Sequence, residues 1–182
     1  MATVLVPLAQ GCEELEAVTV IDLLRRAQIT VVTAGLDDQP VRGSRGVRLI
    51  PDTTLKTALE QDYDMIVLPG GMPGADHLER DPRLRAALKA AAARGKFIAA
   101  ICAAPKVLAS AGLLADRRAT AYPGVLDNLN VPGLTRTGEA VTGDGAIITS
   151  RGPGTAMDFA LTLIEKLAGR ARRDEVERAL AR

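Results

Sequence analysis

The 182-residue chain has very few of the side chains that carry reactive or stacking chemistry. It has no Trp, two Tyr, two Phe, two Cys and one His, and its net charge is only +1. So few rings and so little basic excess exclude an obligate nucleic-acid partner. Two cysteines cannot build a disulfide scaffold or a four-thiolate zinc site, so no metal is expected. Nucleophilic chemistry must therefore use Cys12, Cys102 or His77.

Long apolar runs are also scarce, with one near exception. The segment Phe97–Ala115 carries a single charge, at Lys106, and approaches the length of a membrane span of about 20 residues. Pro105 and Lys106 divide it, so we interpret it as a buried strand, a sharp turn and a buried helix, and expect no membrane association. The N-terminus lacks the basic and apolar regions of a signal peptide, which predicts a cytoplasmic protein with free thiols.

What the chain has is aliphatic sequence, in short apolar runs that alternate with longer amphipathic ones. Apolar residues make up 47% of the chain. Strands are predicted at Thr3–Leu8, Thr30–Ala34, Met65–Leu68, Phe97–Ile101 and Ala146–Ser150, and helices at Glu13–Arg26, Pro82–Arg94, Ala103–Ser110, Thr155–Ala168 and from about Arg173. Strands that do not alternate in polarity indicate a sheet covered on both faces. The predicted fold class is α/β: a doubly wound, mostly parallel, flavodoxin-like sheet sandwiched by helices, with residues 1–182 as a single domain.

Two smaller β features are expected outside this framework. A short β excursion is predicted at Val41–Ile50, and Thr135–Gly145 is predicted to form a hairpin that turns at residues 143–145. In open α/β sheets, ligands bind beyond the carboxyl ends of the strands. Four segments meet this condition, and the chemistry is expected among them: Gln10–Glu16, Pro69–Gly74, Cys102–Pro105 and Arg151–Thr155.

Cys102 lies between a predicted strand and the helix that follows, flanked by alanines. This arrangement resembles a nucleophile elbow, in which small neighbours tolerate a strained turn that exposes the nucleophile. The helix N-terminus favours thiolate, so a lowered pKa of the Cys102 thiol is expected. The alternative is an inert, buried core cysteine.

A glycine-rich turn follows another predicted strand, at Pro69-Gly70-Gly71. Glycines let backbone amides approach a ligand closely, so the amides of Gly71 and Ala103 can form an oxyanion hole beside Cys102. The turn has neither dinucleotide-binding spacing nor a phosphate-loop lysine, which disfavours a cofactor.

Three glutamates open the first predicted helix, where acidic residues complement the helix dipole. Helical spacing puts Glu16 on one face with Val20 and Leu23, whereas Glu14 shares its side with Arg25, so Glu16 is expected to point inward. A buried carboxyl beside the Cys102 thiol cannot ionise cheaply together with it. The expected state is a thiolate hydrogen-bonded to a neutral carboxylic acid.

The other two reactive side chains have two interpretations each. His77 is either the base of a Cys-His pair or a surface or capping residue at the start of a short helix. Cys12 is either a resolving thiol or a packing residue near the end of the first strand.

Four segments together resemble the ThiJ/PfpI family, in its deglycase-like branch. They are Gly11-Cys12-Glu13-Glu14-Leu15-Glu16, Leu68-Pro69-Gly70-Gly71, Ala99-Ala100-Ile101-Cys102-Ala103-Ala104-Pro105 and Ser150-Arg151-Gly152-Pro153-Gly154-Thr155. The resemblance implies that Cys102 is the nucleophile and Glu16 its hydrogen-bonded acid, with Gly71 and Ala103 at the oxyanion hole. It also implies a homodimer, and a location for Arg26 and Arg45 near the active site and the dimer interface.

The chain departs from the family pattern at two positions. Protease-like branches carry a histidine beside the nucleophile or later in the chain, but Ala103 follows Cys102 here, which weakens a peptidase interpretation. The deglycase branch often has a histidine before a proline at the pocket edge, where this chain has Tyr122-Pro123. Tyr122 can still donate a hydrogen bond to a substrate.

The leading hypothesis is a cofactor-independent Cys-Glu enzyme that acts on α-oxoaldehydes such as methylglyoxal or glyoxal, or on their early adducts with amines and thiols. It would serve as a glyoxalase or deglycase in stress defence. The first alternative is a redox-sensing stress protein or chaperone, in which Cys102 is oxidised to sulfinic acid. The second alternative, a peptidase or amidotransferase relative, depends on His77 as its partner.

Overall fold

A seven-stranded sheet forms the middle of the molecule in the computed structural model, which describes residues 1–182. The strands are β1 (Thr3–Leu8), β2 (Thr30–Gly35), β3 (Val41–Arg42), β4 (Arg48–Leu49), β5 (Thr53–Thr54), β6 (Met65–Leu68), β7 (Phe97–Ile101), β8 (Arg118–Ala119), β9 (Thr135–Arg136), β10 (Val141–Asp144) and β11 (Ile147–Ser150). The helices are α1 (Glu14–Arg26), α2 (Leu55–Ala58), α3 (Gly74–Arg80), α4 (Pro82–Ala93), α5 (Pro105–Ser110), α6 (Ala156–Ala168) and α7 (Arg170–Ala179).

The strand order is β10-β11-β7-β6-β1-β2-β5, and every neighbouring pair is parallel except β10 with β11. All five predicted core strands are present, within one residue of their predicted ends. The predicted α/β class with a mostly parallel sheet is therefore confirmed.

Side chains on the two faces of the sheet belong to two separate buried clusters. In β1, Val4, Val6 and Leu8 face a cluster shared with α1, α6 and α7, while Leu5 faces a second cluster shared with α2 to α5. Because both faces are covered, the two middle strands β6 and β7 are apolar at every position, as fully buried parallel strands are.

The predicted hairpin is misplaced along the chain. The hairpin pairs β10 with β11, from Val141 opposite Ser150 to Asp144 opposite Ile147, so the turn follows Asp144 and the segment from Thr135 is not an arm of it. Residues 135–136 form β9 instead, which pairs in parallel with β8. The predicted turn residues do lie at the turn. The second arm, which contains apolar Ile147 and Ile148, is at the same time a strand of the central sheet, because β11 pairs with β7 on one side and with β10 on the other.

The β excursion at Val41–Ile50 is present as the antiparallel pair β3 and β4. Very short elements, β5 and α2 among them, were not predicted because two to four residues carry no periodicity. The C-terminal helix begins at Arg170, three residues before its predicted start. No helix has both the length and the apolar character that a bilayer span requires.

The four segments in which chemistry was expected meet at one edge of the sheet. The amide of Glu13 donates to the carbonyl of Gly70 (2.9 Å), and the amide of Cys102 donates to that of Ser150 (2.9 Å). Since β1, β6, β7 and β11 run parallel, their carboxyl ends all open on this edge.

Candidate active site

Cys102 occupies the turn directly after β7 and has a left-handed backbone, with φ at +63°. Side chains other than glycine adopt this region rarely and at a cost of about 1–3 kcal/mol. The turn is held from both sides: the Cys102 amide donates to Ser150, and the Cys102 carbonyl accepts from the amide of Tyr122 (2.9 Å). The strained elbow expected from the sequence is present, and the thiol is 9% exposed, at the floor of a cleft.

Glu16 lies in the first turn of α1 with no exposed surface. Its Oε2 accepts a hydrogen bond from the amide of Gly70 (2.9 Å), whereas Oε1 is the one buried side-chain oxygen or nitrogen without a hydrogen-bond partner. A Cβ added at Gly70 would lie 2.7 Å from Cβ of Cys102 and 2.8 Å from Glu16 Oε2. The thiol and the carboxyl therefore face each other across a position that only glycine can occupy.

Burial, opposed by the Gly70 hydrogen bond, raises the pKa of Glu16 to about 7. Burial and the charge of ionised Glu16 also raise the pKa of the Cys102 thiol, to about 12. The prediction that the helix N-terminus lowers the pKa of the Cys102 thiol is therefore wrong for the state in which Glu16 is ionised. The two acids therefore hold two protons below about pH 7 and share one above it, and Cys102 can become a thiolate cheaply only when Glu16 carries a proton.

Two backbone amides oppose this rise by approaching the Cys102 sulfur. They belong to Gly71 and Ala103, and each lowers the pKa of the thiol. Neither amide donates to a backbone carbonyl, so both stay available to an oxygen formed beside the sulfur. Gly71 has φ at +87°, and a Cβ there would collide with the backbone of Cys12 and Glu13. Glycine is therefore required to aim this amide.

The cleft above Cys102 has a volume of about 550 Å³. It is lined by Glu13, Ser44, Arg45, Gly71, Met72, Cys102, Ala103, Lys106, Tyr122, Val125 and Pro153. The structure thus brings together Cys102, Glu16, Gly70, Gly71, Ala103, Tyr122 and Arg45 of the sequence-predicted residues.

Lys106 is a cleft residue that was not predicted. It lies in the first turn of α5, where its ammonium forms ion pairs with Asp76 and Glu79 of α3. Although burial opposes it, these bonds raise the pKa of Lys106. Its spacing of one helical turn from Cys102 was the signal available in the sequence.

Arg45 is the second cation of the cleft and differs from Lys106 in having no partner. Its guanidinium makes no ion pair and no hydrogen bond, whereas its backbone amide is fixed by Glu14. Glu14 is 7% exposed beneath the segment Gly43–Val47. The expectation that Glu14 faces away from the protein is wrong, because the β excursion folds over the first turn of α1.

The remaining sequence-predicted residues do not line the cleft above Cys102. Arg26 is in the last turn of α1, exposed and paired with Asp22 (2.7 Å). His77 lines a separate pocket with Leu8 and Gln10, so it is not brought to the thiol. Cys12 is 1% exposed, and burial raises the pKa of its thiol to about 11.

Tyr122 stands at the rim of the cleft, about half exposed. Its ring lies over Gly152, where an added Cβ would approach the ring Cδ2 to 3.3 Å. The same ring also borders two neighbouring grooves that contain Arg151. Tyr122 therefore separates the Cys102 cleft from the surface beside it.

Comparison with known proteins agrees with this geometry. Residues 2–166 match the model of the DJ-1/PfpI family. The chain belongs to the DJ-1/PfpI family. It is 44% identical over 168 residues to the Parkinson disease protein 7 homolog of Danio rerio, covering 91% of this chain and 89% of that protein. A solved structure of oxidised DJ-1 from Toxoplasma gondii superposes with a TM-score of 0.95 at 43% identity, covering 100% of this chain and 98% of that one.

Two further relatives show how this family varies. A Caenorhabditis elegans protein named glutathione-independent glyoxalase DJR-1.2 is 37% identical over 168 residues, or 92% of this chain and 89% of that protein. Protein DJ-1 homolog A of Arabidopsis thaliana is 41% identical over 180 residues, or 98% of this chain. The chain spans only 46% of that plant protein's length.

Proposed function

We propose that this protein is a cofactor-independent Cys-Glu enzyme that converts α-oxoaldehydes such as methylglyoxal into hydroxy acids, with residues 1–182 acting as one domain. One observation carries the proposal: the Cys102 thiol faces the proton-holding Glu16 and the free amides of Gly71 and Ala103. That set provides a nucleophile, a proton carrier and an oxyanion site. The glyoxalase name of the C. elegans relative supports the same chemistry.

The reaction begins with the pair in its thiolate and carboxylic acid form. The thiolate adds to the aldehyde carbon, and the oxyanion that forms is held by the two amides and takes the proton of Glu16, giving a hemithioacetal. The Glu16 carboxylate then removes the proton of that carbon and returns it to the neighbouring carbonyl carbon, while the hydroxyl proton of the hemithioacetal passes to the carbonyl oxygen, which leaves the thioester of a 2-hydroxy acid. Water hydrolyses the thioester, so methylglyoxal plus water gives lactate and the free pair.

The decisive experiment measures lactate formed by the purified protein from methylglyoxal. Cys102→Ser and Glu16→Gln are expected to abolish it, because each removes one half of the pair. Cys12→Ala is the matched thiol control and should retain turnover, since Cys12 does not line the cleft. Lactate formation that survives Cys102→Ser would overturn the mechanism.

Deglycation of an adduct and conversion of the free aldehyde use the same first step. Because an adduct in equilibrium releases methylglyoxal, one activity can also imitate the other. The two activities separate by rate. A deglycase removes adducts faster than they dissociate spontaneously, whereas a glyoxalase never exceeds the spontaneous rate. Following a methylglyoxal adduct of a cysteine or lysine derivative at rising protein concentration distinguishes them.

A second function is supported by the unpartnered Glu16 Oε1 beside Cys102 and by the oxidised structure of the Toxoplasma relative. In this function, hydrogen peroxide oxidises the Cys102 thiolate to sulfenic acid with release of hydroxide, and a second peroxide gives sulfinic acid and water. A protonated Glu16 would donate a hydrogen bond to the sulfinate. Intact mass after mild peroxide should show two added oxygens, which Cys102→Ser abolishes, together with altered binding behaviour. A stoichiometric oxygen gain without aldehyde turnover would favour the sensor.

A peptidase function has the least support. His77 lies in a pocket that does not include Cys102, so the thiol has no imidazole partner. Turnover that His77→Ala leaves intact would remove this alternative.

A homodimer is proposed from the family and from an exposed apolar patch. Leu15 and Val18 lie one turn apart on the outer face of α1, and Val47, whose amide donates to the adjacent Glu14, is also exposed. Large apolar side chains exposed close together are typical of a protein interface. Val18→Asp should shift the molecular mass measured by light scattering from dimer to monomer. A cytoplasmic location stays a prediction.

A further inference from the structure

Glu14 is not part of the proposed reacting pair of Cys102 and Glu16. Nearly all of the hydrogen-bond acceptor capacity of its carboxylate is nevertheless used. Oε1 accepts from the amides of Arg45 (2.9 Å) and Val47 (3.2 Å), and Oε2 accepts from the Arg45 amide (3.1 Å) and shares the single hydrogen of the Ser44 hydroxyl (3.3 Å) with Glu13. Burial opposes ionisation, but these hydrogen bonds hold the pKa of Glu14 below its usual range.

The segment Gly43–Val47 depends on this carboxylate for its position. Its other ties to the first turn of α1 are few: the Ser44 amide donates to the Cys12 carbonyl (2.7 Å), and the Ser44 hydroxyl donates to Glu13 (2.8 Å). At Gly43 an added Cβ would lie 2.5 Å from Glu14 Oε2, so the backbone passes directly against the carboxyl. The segment therefore wraps around Glu14.

The same segment forms one wall of the Cys102 cleft. It supplies Ser44 and Arg45, and the Arg45 guanidinium has no protein partner. Lys106, by contrast, is paired with Asp76 and Glu79. Within one protomer, Arg45 is thus the one cleft cation whose charge no side chain neutralises.

The geometry points to Glu14 as a positioning residue: its carboxylate holds Gly43–Val47 so that Arg45 binds a carbonyl or carboxylate oxygen of the molecule attacked by Cys102. This inference rests on the proposed function for its substrate, but not for the position of Arg45. Glu14 acts through Arg45 and touches neither the sulfur nor the substrate. It therefore affects binding more than the chemical step.

Glu14→Gln is the direct test, because the amide keeps the shape and replaces one acceptor by a donor that faces backbone N–H groups. Gly43→Ala is an independent second variant that displaces the carboxylate from the segment. Arg45→Gln removes the guanidinium itself. Glu165→Gln, on the exposed side of α6, makes the same chemical change where nothing depends on it.

The first readout does not require turnover. Iodoacetate and iodoacetamide both alkylate the Cys102 thiolate, but only iodoacetate carries a charge that Arg45 can attract, so the ratio of their rate constants cancels any change in thiolate fraction. The ratio should fall by about three- to ten-fold in Arg45→Gln, Glu14→Gln and Gly43→Ala, and stay unchanged in Glu165→Gln. Amide hydrogen exchange at residues 43–47 should become at least about ten-fold faster in Glu14→Gln.

The second readout is the division between KM and kcat for methylglyoxal. Glu14→Gln should raise KM by about ten-fold and leave kcat within about two-fold. An unchanged alkylation ratio in either Glu14→Gln or Arg45→Gln would overturn the inference, as would unchanged exchange at residues 43–47, or a loss of kcat at constant KM. If the wild-type protein turns over no aldehyde, the proposed function fails, while the alkylation ratio and the exchange still decide the role of Glu14.

Discussion

The carboxyl of Glu16 and the backbone of Gly70 are joined by a hydrogen bond of 2.9 Å, at the one place where α1 reaches the end of β6. The bond does two things. It holds one oxygen of the carboxyl, and it brings a residue without a side chain between that carboxyl and Cys102. The distance between acid and thiol is therefore set by the absence of a Cβ at residue 70.

Gly70→Ala should consequently separate the pair. The added methyl would lie 2.7 Å from Cβ of Cys102 and 2.8 Å from Glu16 Oε2, and both must move. We expect kcat/KM for methylglyoxal to fall by about 100-fold, since misplacement of about 1 Å has this effect on catalysis. The free energy of unfolding should fall by about 1–3 kcal/mol.

The matched control for this prediction is Gly143→Ala in β10, where an added Cβ meets nothing within 4 Å. Steady-state kinetics and urea unfolding measure the two effects separately. A Gly70→Ala protein with wild-type kinetics would show that the spacing at residue 70 does not govern the pair.

The central sheet and the juxtaposition of Cys102 and Glu16 could be predicted because each depends on a strong local pattern. Runs of mostly apolar residues predicted five strands. Helical spacing alone predicted that Glu16 points inward, on the face of the helix that carries Val20 and Leu23. The position of Cys102 between a strand and a helix was enough to place it at the elbow. In each case, residues close in the sequence decide the structure.

The misses have the opposite origin, in contacts between distant segments. Glu14 was assigned to an outer face because nothing in its own helix shows that residues 43–47 fold over it. The lowered thiol pKa was expected from the nearby helix N-terminus, but burial and the charge of Glu16 outweigh it. Of Arg26 and Arg45, the excursion places only Arg45 on the cleft of its own protomer, and the expected location of both near a dimer interface stays a prediction.

The raised pKa of Glu16 predicts a specific pH dependence of stability. The folded protein holds this proton up to about pH 7, whereas an ordinary glutamate loses it near 4.5. The stabilisation is therefore complete below pH 4.5 and is lost as pH rises through 7. By linkage, the wild type should lose about 3 kcal/mol relative to Glu16→Gln between pH 4.5 and pH 8.

Urea unfolding of both proteins at pH 4.5, 6 and 8 tests this difference. Glu165→Gln, at an exposed position, should follow the wild type at every pH. A gap between wild type and Glu16→Gln that is the same at all three pH values would mean that Glu16 is not the group that titrates.

The substitution Glu16→Gln should affect two reactions of Cys102 in opposite directions. The Glu16 charge helps to raise the pKa of the thiol, so a neutral glutamine should increase the thiolate fraction at pH 8. Alkylation by iodoacetamide should become about ten-fold faster in Glu16→Gln, for a pKa one unit lower. Lactate formation should be lost, because the glutamine cannot carry the proton between carbons.

Mass spectrometry of the alkylated protein provides an internal control for that prediction. Cys12 is 1% exposed with a raised thiol pKa, so a native sample should gain one label, at Cys102, and a second only after unfolding. Alkylation that slows in parallel with turnover would contradict this prediction, because it would mean that the charge of Glu16 does not hold the pKa of the Cys102 thiol up.

Tyr122 offers a test of what the rim of the cleft contributes. Tyr122 lines the cleft together with Val125 and Pro153, and its half-exposed ring packs over Gly152. Tyr122→Phe keeps the ring and removes one hydrogen bond to the substrate, so kcat/KM should fall by about two- to ten-fold. Thermal unfolding should be unchanged, because phenylalanine keeps the contact of the ring with Gly152. Tyr122→His, which restores the residue type frequent in the deglycase branch, should recover part of the loss if a donor is what the substrate needs. If phenylalanine is as active as tyrosine while histidine differs from both, the ring acts through its size at the rim, and substrate selection lies deeper in the cleft.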